Sequence, residues 1–341
     1  MDTIANKVEI LSNVHAKNLV DWAKDRPEVV VLSGDLTSSC EIKPFKEAYP
    51  DRFFSMGVAE QNMLGFAAGL AREGFRPWLH TFAVFFYRRA YDQLAMSVAY
   101  PNLPVTLVGF LPGIMTPGGV THQAIEDVSV LRSLPNMTII DVGDATEVET
   151  ILDAVEKVNG PVYIRMLRKD VPRLFDRKEP FEINKARVLS EGTDIALFSS
   201  SICTEEAIRA TKALKEKGLS IQHLHISTLK PFTDPAVIEA LKKVKYGAIT
   251  LENHTVIGGL GTCVAEVMAE NAIGKPLVKL GLNDTFAHGA TQHYLMSHYG
   301  LDAIALVKGV EKLTGKSYGI SEKDLEEIRL EVISTKDPDA L

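Results

Sequence analysis

The sequence predicts an α/β protein: a mostly parallel sheet between helices, followed by a second, smaller α/β domain. Three observations carry this. Short β-branched runs recur between stretches of helical period. The run at 29–33, Val-Val-Val-Leu-Ser, stops at Gly34-Asp35, as a buried strand does on meeting a tight turn. The alternation lapses once, over 168–185, and then resumes.

Taken in order, apolar spacing predicts helices over 10–24, 58–71, 87–98 and 145–158, with strands at 29–33, 105–108, 138–141 and 162–164. In such a sheet, ligands sit beyond the carboxyl ends of the strands. Residues 168–185 are polar, hold two prolines and show no helical or strand period, so they read as a linker between domains at 1–167 and 186–316. The second domain is expected to hold strands at 194–198, 220–225, 247–251 and 276–280. Its helices carry Ala207, Ala210 and Leu214, or follow Gly258-Gly259. The tail, 317–341, opens on a capping box from Ser321 to Asp324. It aligns Leu325, Ile328 and Val332, predicting a surface helix.

With 341 residues, 46% of them hydrophobic, the chain can bury a large core without metal or disulfide staples. Lys plus Arg is 37 and Asp plus Glu is 44, so the net charge is 37 − 44 = −7. That argues against a general nucleic-acid binder or a binder of anionic membrane, both of which need a positive surface. Cys40, Cys203 and Cys263 are far apart and read as buried thiols in a reducing compartment. No leader pattern and no apolar run near the ~18 residues of a membrane span is visible, so a cytoplasmic location is expected.

The most informative segment runs from Phe54 to Leu70. Met63, Phe66, Ala67 and Leu70 define one helical stripe, and Glu60 prolongs it at the N-terminal end. A carboxylate aimed at the core is costly unless something satisfies it. A first-turn glutamate that favours the helix dipole and turns outward is the ordinary alternative.

The words around Glu60 resolve the choice. Gly57-Val-Ala-Glu-Gln-Asn-Met63 resembles the pyrimidine-binding domain of thiamine-diphosphate enzymes of the transketolase group. The resemblance continues in order through Ser33-Gly-Asp-Leu-Thr37, Thr81-Phe82 with Arg89-Ala-Tyr-Asp-Gln93, and Gly119-Val-Thr-His-Gln123. It extends through Gly160-Pro-Val-Tyr-Ile-Arg165, Leu251-Glu-Asn-His254 and Gly258-Gly-Leu-Gly261. It implies a pyrimidine-binding domain followed by a transketolase C-terminal domain.

The resemblance also assigns roles. Glu60 would share a hydrogen bond with a ring nitrogen of the cofactor's aminopyrimidine, favouring the imino form that takes the proton from the thiazolium carbon. Phe82 and Phe85 would wall the pyrimidine. His122 would meet a substrate oxygen near the reacting carbon, Arg168 would grip a sugar phosphate with its planar fork, and Asp35 would border the substrate channel. The glycines at 258–261 would allow close packing rather than cradle phosphate. Glu252 and His254 would be structural, since no third ligand stands at metal spacing and no metal site is expected on this chain.

Whole transketolases hold the diphosphate through Mg²⁺ with a Gly-Asp-Gly motif on an N-terminal domain. This sequence has Gly34-Asp35-Leu36 and starts at the pyrimidine domain. The resemblance therefore implies the C-terminal subunit of a split transketolase. Its partner would be an N-terminal subunit carrying the Mg²⁺ and diphosphate site, in a heterotetramer with two of each chain. Three departures bear on the substrate. The usual Asp-Gly-Pro-Thr-His becomes Gly118-Gly-Val-Thr-His122, a family His corresponds to Phe110, and the Thr-Arg pair of the first helix gives way near Ser12-Asn13. A branched, modified, sulfonated or unphosphorylated ketose is expected. The competing readings are the β subunit of a 2-oxo acid dehydrogenase, a deoxyxylulose-phosphate-synthase-like enzyme, and a non-catalytic scaffold subunit.

Overall fold

The computed structural model describes residues 7–328 and 331–334. Its first sheet contains six parallel strands among those residues: Val29–Ser33, Phe53–Ser55, Arg76–Phe82, Thr106–Phe110, Thr138–Asp141 and Val162–Met166. Alternate residues serve opposite faces. Val30 and Leu32 pack with the helices Glu60–Arg72 and Ala83–Gln93, while Val29 and Val31 pack with Val14–Trp22 and Ala145–Glu156. Because both faces are covered, the strands read as continuous apolar runs rather than alternating ones.

The second sheet is ordered Leu277–Leu282, Gly247–Thr255, Ile195–Ser199, Ile221–His225, Arg187–Ser190, with only the last strand antiparallel. The strands expected in the second domain are therefore present. One further strand, Thr228–Lys230, leaves this domain and pairs antiparallel with Thr138–Asp141, extending the first sheet to seven strands. Beside that junction the buried Glu147 carboxylate accepts from Ser227 Oγ (2.5 Å) and Arg187 Nε (3.1 Å).

Four expectations need correction. Residues 10–12 are not helical: Lys7–Ser12 is a strand, and the helix starts at Val14 after Asn13 takes a left-handed φ of 53°. The segment 168–185 is not wholly irregular, since Asp170–Pro172 pairs antiparallel with that first strand. The tail helix is short, Glu322–Glu327, and Val332 lies instead in the strand Glu331–Ser334, parallel to Lys7–Ser12. The helix expected at 87–98 begins earlier, at Ala83, and from Leu94 to Ala99 widens into a π-helical turn.

Candidate active site

The loop after Phe53–Ser55 is tied to the neighbouring strand by Met56 N–H donating to the Ser33 carbonyl (2.9 Å), and it delivers the chain into the helix Glu60–Arg72. The buried positions of this helix are Glu60, Met63, Leu64, Ala67, Ala68 and Ala71. The predicted stripe is thus rotated. Phe66 is 40% exposed and Leu70 half-buried, because Leu64 and Ala68 supply the inner face instead. Glu60 nonetheless points inward and is 3% exposed.

Among the described residues its carboxylate has one side-chain partner, Arg89 Nη1, at 2.8 Å. The Arg89 guanidinium also lies 4.0 Å from the centre of the Phe85 ring. Phe85 stacks with Phe82, the last residue of its strand, at 6.0 Å and 27°. The His122 ring meets both phenyl rings edge-on, at 6.2 Å from Phe82 and 5.7 Å from Phe85. Glu60, Phe82, Phe85 and His122 therefore form one connected cluster. Arg89 was quoted in a sequence motif but given no role. The i, i+4 spacing from Phe85 on one helix is the signal that places the cation over the ring.

His122 is half-buried on a long loop, 111–126, between Thr106–Phe110 and the helix Asp127–Arg132. Its Nδ1 is 2.8 Å from Thr121 Oγ1. Beneath the loop lies a fully buried network that sequence reading missed. Arg165 donates from Nε to Asp127 (2.9 Å), from Nη1 to Asp141 (2.7 Å) and from Nη2 to the Asn253 carbonyl (2.9 Å), and Tyr163 Oη donates to Asp127 (2.7 Å). His254 stands beside it, its pKa lowered to about 4 by burial, hence neutral near pH 7.

Asp35 and Arg168 also stand beyond carboxyl ends of strands, but neither makes a side-chain hydrogen bond with the Glu60–His122 cluster among the described residues. Asp35 is exposed with a left-handed φ of 65°. Arg168 is half-buried, acts electrostatically on Cys40 and Glu41, and lines a cavity of about 380 Å³ with Met115, Gln292 and His293. Phe110 packs edge-on against buried His15 at 5.6 Å.

The three cysteines are free and buried, and burial raises each thiol pKa. The glycine-rich turn before the helix Leu260–Glu270 is already filled by a carboxyl group. Glu252 accepts from Leu260 N–H (2.6 Å) and Gly261 N–H (2.8 Å), so a side chain of this chain occupies the helix N-terminus where phosphate would otherwise sit. No group of three or more His, Cys, Asp or Glu side chains arranged to hold a metal occurs among the described residues, and no helix among them is long and apolar enough to cross a membrane.

Comparison with known proteins gives this geometry a family. The transketolase pyrimidine-binding domain matches residues 11–173 and the transketolase C-terminal domain matches 184–305. The chain belongs to the transketolase family. Among its relatives is a putative transketolase C-terminal section from Methanocaldococcus jannaschii, 36% identical over 299 residues, or 87% of this chain and 93% of the relative. A 6-deoxy-6-sulfo-D-fructose transketolase subunit from Clostridium sp. (strain MSTE9) is 36% identical, over 89% of this chain and 94% of its own. Among solved structures, a split-gene transketolase described as an inactive β4 tetramer superposes with a TM-score of 0.82 at 39% identity, covering 89% of this chain and 97% of the other. As a transketolase-family chain with these two domains, the protein is a transferase subunit.

Proposed function

We propose that this chain is the C-terminal subunit of a split transketolase and moves a two-carbon ketol unit from a ketose to an aldose phosphate with thiamine diphosphate. The observation that carries the proposal is the contact chain Glu60–Arg89–Phe85–His122. The Arg89 guanidinium is planar, donates N–H to Glu60 and stacks on Phe85. An aminopyrimidine offers the same two recognition features, so the donor set fits the cofactor's pyrimidine end.

When bound, thiamine diphosphate supplies the carbon nucleophile that opens a ketose beside its carbonyl. Glu60 holds a proton at the pyrimidine nitrogen from inside a dry pocket, where a hydrogen bond is strengthened by low dielectric. Phe82 and Phe85 orient the ring and exclude water. His122, held at Nδ1 by Thr121, meets the substrate oxygen, and such acid–base assistance is worth ~10²–10⁴ in rate. Arg168 and Asp35 line the approach at the carboxyl edge and bind the distal sugar groups.

The diphosphate and its Mg²⁺ belong to an N-terminal partner subunit, in a cytoplasmic heterotetramer with two of each chain. The donor is a modified or sulfonated ketose. Gly118 in place of the family Asp and Phe110 in place of the family His support this, since losing one charge-assisted contact costs about 1.5–3 kcal/mol. The relative that acts on 6-deoxy-6-sulfofructose supports it as well.

The test is to co-express this chain with an N-terminal transketolase subunit and screen ketose donors with and without thiamine diphosphate. The proposal expects cofactor-dependent release of an aldose without carbon dioxide, faster from 6-deoxy-6-sulfofructose than from xylulose 5-phosphate. Full turnover by the isolated chain would overturn the split arrangement. Release of carbon dioxide from a 2-oxo acid would overturn the transketolase reading.

A further inference from the structure

The loop that carries His122 is held from both sides: Arg88, on the helix Ala83–Gln93, donates to the Val120 carbonyl (2.8 Å) and to Glu126, and the second domain grips the two limbs. Asn253, fully buried near the end of the strand Gly247–Thr255, reaches across with both ends of its amide. Its Oδ1 accepts from Ile114 N–H (2.9 Å) and its Nδ2 donates to the Pro112 carbonyl (3.1 Å). Two residues along, Thr255 N–H donates to the Ile125 carbonyl (2.8 Å), so the same strand grips both limbs of the loop. The limbs are joined to each other by Gly113 N–H donating to the Ala124 carbonyl (2.7 Å). Nearer the tip, Gln123 Nε2 donates to the His288 carbonyl (3.3 Å), again in the second domain.

Gly113 is what lets Asn253 in. It has a φ of +59°, and a side-chain carbon there would overlap the Asn253 amide. The glycine and the asparagine therefore form one fitted contact.

We infer that Asn253 is a positioning residue for His122, through which the second domain shares with Arg88 in setting the place of that histidine. This rests on the proposed role of His122, but the mechanical part of the inference has its own readout. In the assembled two-subunit enzyme, Asn253→Ala is expected to raise hydrogen exchange in peptides spanning 111–126 at least tenfold while leaving peptides of the helix Glu60–Arg72 unchanged. Exchange of the thiazolium proton of bound thiamine diphosphate, followed by NMR, should stay within about twofold of the unmodified enzyme, because that step uses Glu60. The kcat/KM for the ketose should fall ~10- to 100-fold, short of the ~10²–10⁴ that loss of the acid–base group itself would cost.

Unchanged exchange in 111–126 would overturn the inference whatever the activity. So would equal losses of proton exchange and ketose turnover, which would mark Asn253 as a general packing residue. Absence of cofactor-dependent proton exchange in the unmodified enzyme would instead sink the proposed function, while the loop measurement would still decide the mechanical claim. Gly113→Ala supplies a cross-check, since its clash with the Asn253 amide, though not the strain of alanine at φ +59°, disappears in the Asn253→Ala background. The double variant should lose less kcat/KM than the product of the two single losses, and a full product would overturn the inference.

Discussion

Replacing Glu60 by glutamine separates the two readings of that residue. The side chain keeps its size, so no cavity forms, and only the charge is lost. Glu60 is 3% exposed, whereas its partner Arg89 is 45% exposed in its side chain and can turn to water once the carboxylate is gone. A pair with one end in solvent is worth about 0–1 kcal/mol, and removal of a desolvated carboxylate offsets part of that. The expected change in stability is therefore within about 1 kcal/mol, or no more than about 1–2 °C in melting temperature. Turnover should behave differently. With no proton to hold at the pyrimidine nitrogen, the assembled enzyme should lose ~10²–10⁴ in kcat at saturating cofactor, about 3–5 kcal/mol of barrier. Calorimetry and a steady-state ketose assay on the same preparation measure both quantities. If Glu60 merely favours the helix dipole, Glu60→Gln costs about 0.3–1 kcal/mol of stability and leaves turnover alone. Activity within about threefold of the parent would falsify the catalytic assignment.

Two further outcomes follow from the buried polar groups. Arg165→Met should lower unfolding free energy by about 3–5 kcal/mol, because it strands Asp127 and Asp141, both fully buried, without their shared cation. Denaturant titration reads this, and a loss below about 1 kcal/mol would show that the two acids find other partners. Glu252→Gln should change the pH dependence of stability. Burial raises the Glu252 pKa from 4.5 to about 7 in the folded state, so its stabilising contribution is fully present below about 4.5 and is lost as pH rises through about 7. The melting temperature of the parent relative to the variant should thus decline between pH 5 and pH 8, and a constant difference would refute the shift.

The parallel strands were legible because burial on both faces demands runs such as Val29–Ser33, and turn residues marked their ends. Two were not: Phe53–Ser55 is too short to show a period, and in Arg76–Phe82 Pro77 and His80 interrupt the apolar run, so that only the fold shows His80 Nε2 3.0 Å from Nε2 of equally buried His15. Residues 10–12 of the strand Lys7–Ser12 read as the start of a helix for a different reason. Its partners lie at 170–172 and 331–334, and pairing at that sequence distance leaves no local signal. At the candidate site, Glu60 and His122 stood out as polar residues within family words, and Phe82 and Phe85 as neighbouring aromatics. Arg89, Asn253 and the Arg165 network did not, since their roles depend on which segments the fold brings together. Phe66 misled because Leu64 and Ala68 offer the same helix an equally apolar face one step round.

The strand Thr228–Lys230 makes the larger sheet the joint property of both lobes. Backbone bonds thus weld one lobe to the rim of the other, and the apolar interior runs without a break across the weld, from Leu107 through Ile139 to Phe198 and Leu224. A chain severed ahead of the second lobe would bare the rim strand Thr138–Asp141, leaving a sticky edge open to foreign strands. Access to the site cannot then come from swinging the lobes apart. It has to come from side chains such as Arg89 moving aside.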